Sequence, residues 1–296
     1  MGKRVACLLL SILLMITMFQ LPVEVAAAHE NTYVNTGNYH QDLLGVARTQ
    51  VGYYETGNNK TKYGAWYGLD YQPWCAMFVT WCARKAGIPK SVIANSAVAD
   101  PRYGYFNMDY KHGSNYTPVP GDLFFKEKFE HVGIVFHVDG EYFYSIEGNS
   151  NNDGSDNGTR VLCLKHKIDE RYFGILKKSG VAAPAAPKLT TSQKTYSSGQ
   201  TIKLQWAKVS NAKSYSVTVF RNGDLFDSVN VGSATSYELK YADAGEYLFS
   251  VAANYADGKI GFSQHAVTVW QAPSLNVQYQ INGGTVAPEY QYVVIG

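Results

Sequence analysis

Three residues in the first half of the chain, Cys75, His131 and Glu147, are of types that together could perform thiol chemistry. A thiolate can attack a carbonyl carbon, and an imidazole can take the thiol proton and later give one to a leaving amine. A carboxylate can hold that imidazole in the required tautomer. A cysteine taken at random is more often a small buried apolar residue, so the elements that carry the three residues decide whether they can react.

Cys75 is predicted to lie in the first turn of a helix. Pro73 suits the first helical position because its missing N–H would be unpaired there, and Gly87 followed by Pro89 ends the helix. We therefore expect a helix from about Pro73 to Ala86. Its unpaired N–H groups and the positive end of its dipole should lower the pKa of the thiol, which makes the thiolate available near neutral pH.

Two predicted strands, residues 131–138 and 142–147, carry the other two side chains. Both runs are rich in β-branched and aromatic residues, and Asp139-Gly140 between them is typical of a hairpin turn. Further strands are expected at 123–125 and 172–177. Apolar residues show no clear helical or strand spacing in the segment 91–117, and residues 149–158 are predicted to be a polar loop.

The register of this hairpin decides which side chains can meet. A two-residue turn with Val138 opposite Glu141 would mix core residues with charge on one face. A three-residue loop, or an equivalent bulge, instead places His131, Glu147 and Asn149 together on the face opposite the apolar residues. Because a slip of one residue reverses every side chain, burial favours this second register.

The other histidines and the candidate metal ligands are interpreted as structural or exposed residues. His112, His137 and His166 are predicted to be surface residues. The run Asn149-x-Asn151-x-Asp153-Gly154 imitates the start of a calcium loop, but Arg160 stands where the loop needs glutamate. Zinc ligands at close spacing are also missing. The sequence therefore predicts no metal and no cofactor.

The N-terminus has the features of a secretory signal peptide, residues 1–28. It has a basic start, an apolar run over 5–19 and the small residues Ala26-Ala27-Ala28 at the expected cleavage site. The chain is therefore expected to be secreted, extracellular or associated with the cell wall, with no membrane span. Its formal charge of +2 argues against a nucleic-acid partner, which needs a clustered basic face.

Three cysteines remain after this cleavage, namely Cys75, Cys82 and Cys163, so at least one stays unpaired in an exported chain. Cys75 and Cys82 are separated by about 10 Å along one helix axis, which exceeds disulfide reach. Pairing of Cys82 with Cys163 is left open. Cys75 is the cysteine expected to keep a free thiol.

The composition divides the rest of the chain. Residues 179–188 are rich in alanine and proline and are predicted to be a linker. Residues 189–271 contain short strands separated by turns, which predicts an all-β sandwich. No role is assigned to the tail, 272–296. The sandwich resembles a fibronectin type III or immunoglobulin-like module through Leu204-Gln205-Trp206, Tyr215-Ser216-Val217 and Asp243-Ala244-Gly245-Glu246-Tyr247, the last of which looks like a tyrosine corner.

Residues 38–178 resemble a CHAP domain, the cysteine- and histidine-dependent amidohydrolase/peptidase family. Four segments carry the resemblance in order: Pro73-Trp74-Cys75-Ala76-Met77-Phe78-Val79, Pro120-Gly121-Asp122-Leu123-Phe124-Phe125, His131-Val132-Gly133-Ile134-Val135 and Ile146-Glu147-Gly148-Asn149. The resemblance implies an α+β papain-like fold that precedes the β-sandwich. It also implies that Cys75 is the nucleophile, His131 the base, Glu147 the orienting carboxylate and Asn149 a further polar group of the site.

The expected function is that of a secreted bacterial peptidoglycan hydrolase, either an N-acetylmuramoyl-L-alanine amidase or an endopeptidase. Its expected partners are the stem peptides or cross-bridges of peptidoglycan. One alternative is a wall-binding or adhesin-like protein without activity. Another is a related peptidase of the NlpC/P60 type, in which a histidine such as His137 or His166 is the third group. The sandwich is expected to be a spacer or attachment module, so that the first domain alone retains catalysis.

Overall fold

The computed structural model describes residues 29–100, 106–153 and 157–271. The predicted signal peptide and the tail from 272 lie outside these ranges. The first described elements are three helices, α1 (Tyr39–Arg48), α2 (Lys62–Tyr67) and α3 (Cys75–Lys85). Six strands follow: β1 (Asp109–His112), β2 (Leu123–Phe125), β3 (Val132–Asp139), β4 (Tyr142–Ser150), β5 (Arg160–Lys167) and β6 (Tyr172–Ile175).

These six strands form one antiparallel sheet in the order β1-β6-β2-β3-β4-β5. The strands predicted at 123–125, 131–138, 142–147 and 172–177 are present. Strands β1 and β5 were not predicted. The sequence of β5, Arg160–Lys167, mixes apolar and basic residues without clean alternation, so its pattern does not stand out from that of a loop.

Helix α3 begins at Cys75, two residues later than predicted, and ends at Lys85, one residue earlier, with Ala86 as its C-cap. No side chain caps its N-terminus, so the N–H groups of its first turn keep their capacity to bind an anion. At the other end Gly87 adopts φ 70°, and the N–H of Ile88 bonds the carbonyl of Ala83 at 3.0 Å. This left-handed stop is the role that the sequence predicted for Gly87.

Strands β3 and β4 have the predicted register next to Glu147. Ile134 pairs with Ile146, and Val135 pairs with Ser145. Because side chains alternate along a strand, one face carries Ile134 and Ile146 and the other carries Val135, Ser145 and Glu147. We call these the Ile146 face and the Glu147 face. The Ile146 face belongs to the main core with α3, whereas Val135 belongs to a smaller cluster.

The turn of this hairpin differs from the predicted three-residue loop. Asp139 pairs with Tyr142, so the loop is the two residues Gly140 and Glu141, with φ 62° at Gly140. The register then shifts by one residue at Phe136. The predicted loop is wrong and the equivalent bulge is confirmed, since a bulge absorbs the extra residue while a tight turn closes the hairpin.

Eight further strands follow: β7 (Leu189–Thr191), β8 (Thr195–Ser197), β9 (Ile202–Trp206), β10 (Ser214–Arg221), β11 (Asp224–Gly232), β12 (Ser236–Leu239), β13 (Gly245–Asn254) and β14 (Ile260–Trp270). They form a five-stranded sheet, β11-β10-β13-β14-β8, and a three-stranded sheet, β12-β9-β7. Buried side chains of both sheets, such as Leu204 and Val217, share one core. The Tyr247 hydroxyl donates to the carbonyl of Asp243 at 3.0 Å, as expected of a tyrosine corner.

The six-stranded sheet and the sandwich share apolar packing. Phe136, at the bulge of β3, is fully buried, and its ring lies 5.9 Å from that of Phe220 and 6.2 Å from that of Phe262. Phe220, Leu248 and Phe262 of the sandwich belong to the same buried cluster as α3. The sandwich is therefore packed against the six-stranded sheet, a contact that the sequence composition did not indicate.

Polar contacts surround this apolar packing. The guanidinium of Arg48, in α1, lies 5.0 Å from the centre of the Phe262 ring and donates to the Ser250 hydroxyl at 3.2 Å. The backbone N–H of Cys163, in β5, donates to the carbonyl of Gly223 at 2.8 Å. Gly223 belongs to the tight turn between β10 and β11, so this turn packs on the six-stranded sheet.

Residues 179–188, predicted to be a linker, are bonded on both sides. The Asn38 side chain donates to the Val181 carbonyl at 2.6 Å, and the Tyr255 hydroxyl donates to the Ala185 carbonyl at 2.7 Å. The connection is therefore held against both units.

Among the residues that the structure describes, no helix is both long and apolar enough to cross a bilayer.

Candidate active site

His131 and Glu147 form a buried hydrogen-bonded pair where β3 begins and β4 approaches its last residues. His131 directly precedes β3, and its Nε2 lies 2.8 Å from Glu147 Oε2. The side chains are 2% and 1% exposed. Because an ionised carboxylate only accepts hydrogen bonds, Nε2 carries the proton. The other ring nitrogen, Nδ1, is buried and has no nitrogen or oxygen partner among the described residues.

Cys75, the first residue of α3, interacts with the imidazole of His131. Burial disfavours the thiolate, but the charge of His131, a hydrogen bond with it, and hydrogen bonds with the backbone of Val132 and Ala76 lower the pKa of Cys75 below its usual value. Since Nε2 of His131 faces Glu147, Nδ1 is the nitrogen available to the thiol.

The pKa of His131 changes in the opposite direction. Burial alone would lower it, but the negative charges of Cys75 and Glu147 and the hydrogen bonds to both raise it to about 10. A thiol with a lowered pKa beside an imidazole with a raised pKa favours the thiolate–imidazolium pair. This pair is the reactive form of a cysteine nucleophile.

Glycines leave the space that this arrangement needs. A Cβ at position 133 would lie 2.9 Å from Cγ of Glu147 and 2.4 Å from the Phe124 ring. A Cβ at position 148 would lie 2.5 Å from the Trp74 ring and 2.7 Å from Phe78. The first glycine lets Glu147 reach His131, and the second lets α3 approach β4.

The residue before Cys75 is fixed by an aromatic cluster. The Trp74 ring stacks on Tyr63 with 5.3 Å between ring centres and an interplanar angle of 17°. Its Nε1 donates to Glu55 Oε2 at 3.1 Å. These contacts hold the start of α3, and with it the backbone N–H of Cys75. Sequence reasoning did not identify Glu55 or Tyr63 as supports of the site.

Asn149, two residues after Glu147 on β4, has an unusual backbone and an unpaired side chain. It has φ 58° at a register shift of β4, and it is 1% exposed. Neither its Oδ1 nor its Nδ2 has a partner among the described residues, so it is not bonded to the imidazole. Leaving a buried polar group unpaired costs about 1–3 kcal/mol, so the fold bears this cost at Asn149.

His166 is not a free surface residue, which corrects the prediction. Its Nε2 lies 2.5 Å from Glu147 Oε1, and its side chain is only 13% exposed. Phe143, on β4, pairs with His166, on β5, which puts His166 on the Glu147 face. The missed signal is the strand itself, because without β5 nothing in the sequence aligns His166 with Glu147.

His137 is not simply exposed either, because it is half-buried. Burial, which outweighs the attraction of Asp139, lowers the pKa of His137 to about 4, and the nearby His265 and Lys194 lower it further. Lys194 and His265 belong to the sandwich, so His137 lies near the second unit and away from Cys75. His112, also predicted to be a surface residue, is half-buried and pairs through Nδ1 with the Ser114 hydroxyl at 2.9 Å.

The residues that imitate a calcium loop make other contacts. Asn151 Oδ1 accepts from the N–H of Thr159 at 3.2 Å and from its hydroxyl at 3.3 Å. Arg160 pairs with Asp224 at 2.7 Å. Residues 154–156 lie outside the described ranges. The described cysteines, Cys75, Cys82 and Cys163, are all free.

Comparison with known proteins identifies one family. The family model of the CHAP domain matches residues 66–149, a range that includes Cys75, His131, Glu147 and Asn149. No curated protein matches the chain.

Solved structures resemble the C-terminal part only weakly. The fibronectin(III)-like modules of Clostridium thermocellum CbhA are 18% identical, cover 30% of this chain and all of their own, and have a TM-score of 0.24. The fn3 domain of the human collagen alpha-1(XX) chain is 22% identical, covers 37% of this chain and all of its own, and has a TM-score of 0.27. TM-scores of this size do not establish a shared fold, whereas the strand pairing and the shared buried cluster define the two facing sheets of the sandwich.

Proposed function

We propose that this protein is a secreted bacterial peptidoglycan hydrolase, an amidase or an endopeptidase, in which Cys75, His131 and Glu147 act as a thiol triad on an α+β papain-like domain. We place that domain at residues 38–178, before the sandwich. The observation that carries the proposal is the contact of His131 with Cys75 on one side and Glu147 on the other. The CHAP match supports the substrate class, because members of that family act on peptidoglycan amide bonds.

In the proposed first half-reaction, the Cys75 thiolate attacks the carbonyl carbon of the scissile amide. The new C–S bond gives a tetrahedral oxyanion, which the backbone N–H of Cys75 at the start of α3 is placed to stabilise. His131 gives its Nδ1 proton to the amide nitrogen, the C–N bond breaks, and the amine leaves. The acyl group remains on Cys75 as a thioester.

In the second half-reaction, neutral His131 takes a proton from water, and the hydroxide formed attacks the thioester carbon. The C–S bond breaks, a carboxylic acid leaves, and the thiolate–imidazolium pair is restored. Glu147 keeps Nδ1 of His131 directed at the sulfur in both halves. The unpaired amide of Asn149 is positioned to bind a polar group of the substrate.

The test uses the mature chain, residues 29–296, and a suspension of purified peptidoglycan. We expect the wild type to clear the suspension and Cys75→Ala to lose clearing while keeping the same thermal transition. The matched control is Cys82→Ala, the same change about two turns further along α3, which should keep activity. Clearing by Cys75→Ala at the wild-type rate would refute the proposal, and binding without turnover by the wild type would favour the adhesin-like alternative.

The identity of the third group has its own test. The carboxylate of Glu147 contacts both His131 Nε2 and His166 Nε2. Because His166 contacts Glu147 and not His131, the third group next to His131 is the glutamate rather than the histidine of an NlpC/P60-type site. We therefore expect Glu147→Gln to reduce kcat/KM more than His166→Gln does. Mass spectrometry of the released fragments, with their new amino termini identified, would distinguish an amidase from an endopeptidase.

A further inference from the structure

The carboxylate of Glu147 has more partners than a triad requires. Oε2 contacts His131 and accepts from the Ser150 hydroxyl at 3.1 Å. Oε1 contacts His166 at 2.5 Å and accepts from the Ser145 hydroxyl at 2.6 Å. Each oxygen therefore has one histidine and one serine, and the two histidines bind opposite oxygens of the same buried group.

This surplus has a physical consequence during turnover. When His131 gives up its proton, a buried Glu147 with no other cationic or strongly polar partner would become costly to keep ionised. Burial raises the pKa of Glu147, but the charge of His166 is the largest opposing influence, followed by hydrogen bonds to both histidines, and the pKa is held well below its usual range. His166 therefore stabilises the anion independently of the state of His131.

The surroundings of His166 keep it in place for this task. Its ring centre lies 5.0 Å from that of Phe124 and 5.4 Å from that of Phe143, with tilts of 31° and 37°. Since the carboxylate can only accept, Nε2 of His166 carries the proton of the shared hydrogen bond. Ser145 lies between Phe143 and Glu147 on the same face of β4, and its hydroxyl donates to the Glu147 oxygen that His166 contacts.

We propose that His166 is a positioning residue of the thiol site, which holds Glu147 ionised and aimed at His131 from the side away from Cys75. The inference rests on the proposed function for its catalytic meaning. The titratable groups that face Glu147 are His131 before β3 and His166 on β5. Cys163 pairs with Ile146, so it lies on the opposite face of β5, although the charge of Glu147 still acts on it. Cys75 of α3 acts through His131. His166 itself faces Glu147 and otherwise two phenylalanine rings.

Two variants of the mature chain separate positioning from packing. His166→Phe keeps a ring between Phe124 and Phe143 but removes the donor, whereas His166→Gln keeps a donor but fills the space less well. In His166→Phe, Glu147 should gain a proton at higher pH. A protonated Glu147 keeps an acceptor oxygen but no longer places a negative charge beside His131. The imidazolium is then less stable, so transfer of the thiol proton to His131 becomes less favourable. His112→Gln, outside the site, is the control.

The readout is alkylation of Cys75 by iodoacetamide as a function of pH, together with kcat and KM on peptidoglycan. For His166→Phe we expect the acidic limb of both profiles to move to higher pH and the rate at pH 5 to fall about tenfold, as a pKa change of one unit implies. KM should stay unchanged. His166→Gln should lie nearer the wild type. If His166 served only for packing, His166→Gln would differ from the wild type more than His166→Phe does, and that result would overturn the proposal.

Alkylation needs no substrate, so it separates this proposal from the proposed function. If the wild type never cleaves peptidoglycan but His166→Phe still shows the expected shift in alkylation, only the proposed function is refuted. If the wild type cleaves peptidoglycan and the pH profiles of His166→Phe are the same as those of the wild type, only the positioning role is refuted. If both variants fail to fold, NMR of the ¹⁵N-labelled wild type decides, because an unprotonated Nε2 at His166 would overturn the inference.

Discussion

The two faces of strands β3 and β4 have opposite characters. On the Ile146 face, Ile134 and Ile146 are fully buried in a cluster that continues into the sandwich. On the Glu147 face, Ser145 and Glu147 are equally buried but polar, and they hydrogen-bond to each other at 2.6 Å. Consecutive residues of one strand thus join the two units on one side and hold the candidate site on the other.

This difference separates stability from chemistry. Apolar contacts on the Ile146 face contribute free energy of folding roughly in proportion to buried area. The Glu147 face carries a buried carboxylate, whose burial must be offset by its hydrogen bonds, and the next residues of β4 include the unpaired amide of Asn149, which lowers stability. We therefore expect changes on the first face to unfold the protein and changes on the second to remove activity.

The largest expected effect follows from removing the sandwich. Residues 29–178 alone would expose Phe136 and the other side chains that now pack on Phe220 and Phe262. Burial of one phenylalanine contributes about 1.5–3 kcal/mol, and a whole domain is stable by only about 5–15 kcal/mol. We expect this fragment to lose its cooperative thermal transition and its activity, measured by circular dichroism and turnover of soluble muropeptides.

This expectation replaces the sequence-based one, in which the sandwich is a spacer and the first domain acts alone. The comparison is with the full mature chain under the same conditions. A fragment that melts cooperatively and turns over substrate at the full rate would show that the shared packing is dispensable.

The second largest expected effect is a difference in the alkylation rate of two buried cysteines, Cys75 and Cys163. Burial opposes ionisation of both, but His131 offsets this for Cys75, whereas the charge of Glu147 raises the pKa of Cys163 further. A difference of two pKa units changes the thiolate fraction about a hundredfold. We expect iodoacetamide at pH 7 to label Cys75 more than a hundred times faster, measured by mass spectrometry of the labelled peptides.

The pH dependence of this labelling has a definite sign. Because the pKa of Cys75 is lowered, its rate should reach a plateau at lower pH than that of a free thiol. Because the pKa of His131 is raised to about 10, kcat/KM should fall again as the pH approaches that value. His131→Ala should remove the low-pH reactivity, and equal labelling of both cysteines in the wild type would contradict the proposed ion pair.

Phe136→Ala tests the Ile146 side at a single residue. It deletes a fully buried ring between the two units, for which such a truncation costs about 3 kcal/mol or more. Urea unfolding should show this loss, while kcat/KM of the folded protein stays close to the wild type. Phe226→Ala is the matched control, because Phe226 is 48% exposed on the sandwich, and an equal loss in both variants would argue against a shared core.

Gly223→Ala tests the turn that rests on β5. A Cβ there would lie 2.7 Å from Leu164 Cδ2, and the backbone has φ 94°. Gly199→Ala has a similar φ of 87° but no atom within 4 Å, so it measures the backbone cost alone. We expect Gly223→Ala to be less stable than this control by about 1 kcal/mol, the lower end of the cost of overpacking, as measured by urea unfolding.

The sequence indicated the site better than the interface because the two leave different signals. Cys75 is marked by the signals around its helix, and His131 and Glu147 by the hairpin whose burial pattern selects one register. Each signal comes from neighbouring residues. The contact of Phe136 with Phe262 instead joins residues far apart in sequence, and each of them alone resembles an ordinary strand residue.

His166 was missed for an intermediate reason. Its partner, Glu147, was predicted, but the strand that brings His166 onto the Glu147 face was not. Arg160, Lys165 and Lys167 interrupt the apolar pattern of β5 because they face solvent or the sandwich, where Arg160 pairs with Asp224. Contacts with the sandwich thus explain the basic residues of β5, and the same basic residues prevent a local sequence pattern from indicating the strand.

The smallest expected effect concerns the charged rim between the two units. Lys165 on β5 lies 3.0 Å from Glu246 of the sandwich, with side chains 30% and 36% exposed. An ion pair this exposed contributes at most about 1 kcal/mol. Lys165→Met should therefore lower the free energy of unfolding by less than Phe136→Ala does, and the loss should shrink as salt is added. Lys203→Met, which breaks a pair with Glu238 inside the sandwich, is the control. If Lys165→Met cost as much as Phe136→Ala, charge rather than apolar packing would hold the two units together.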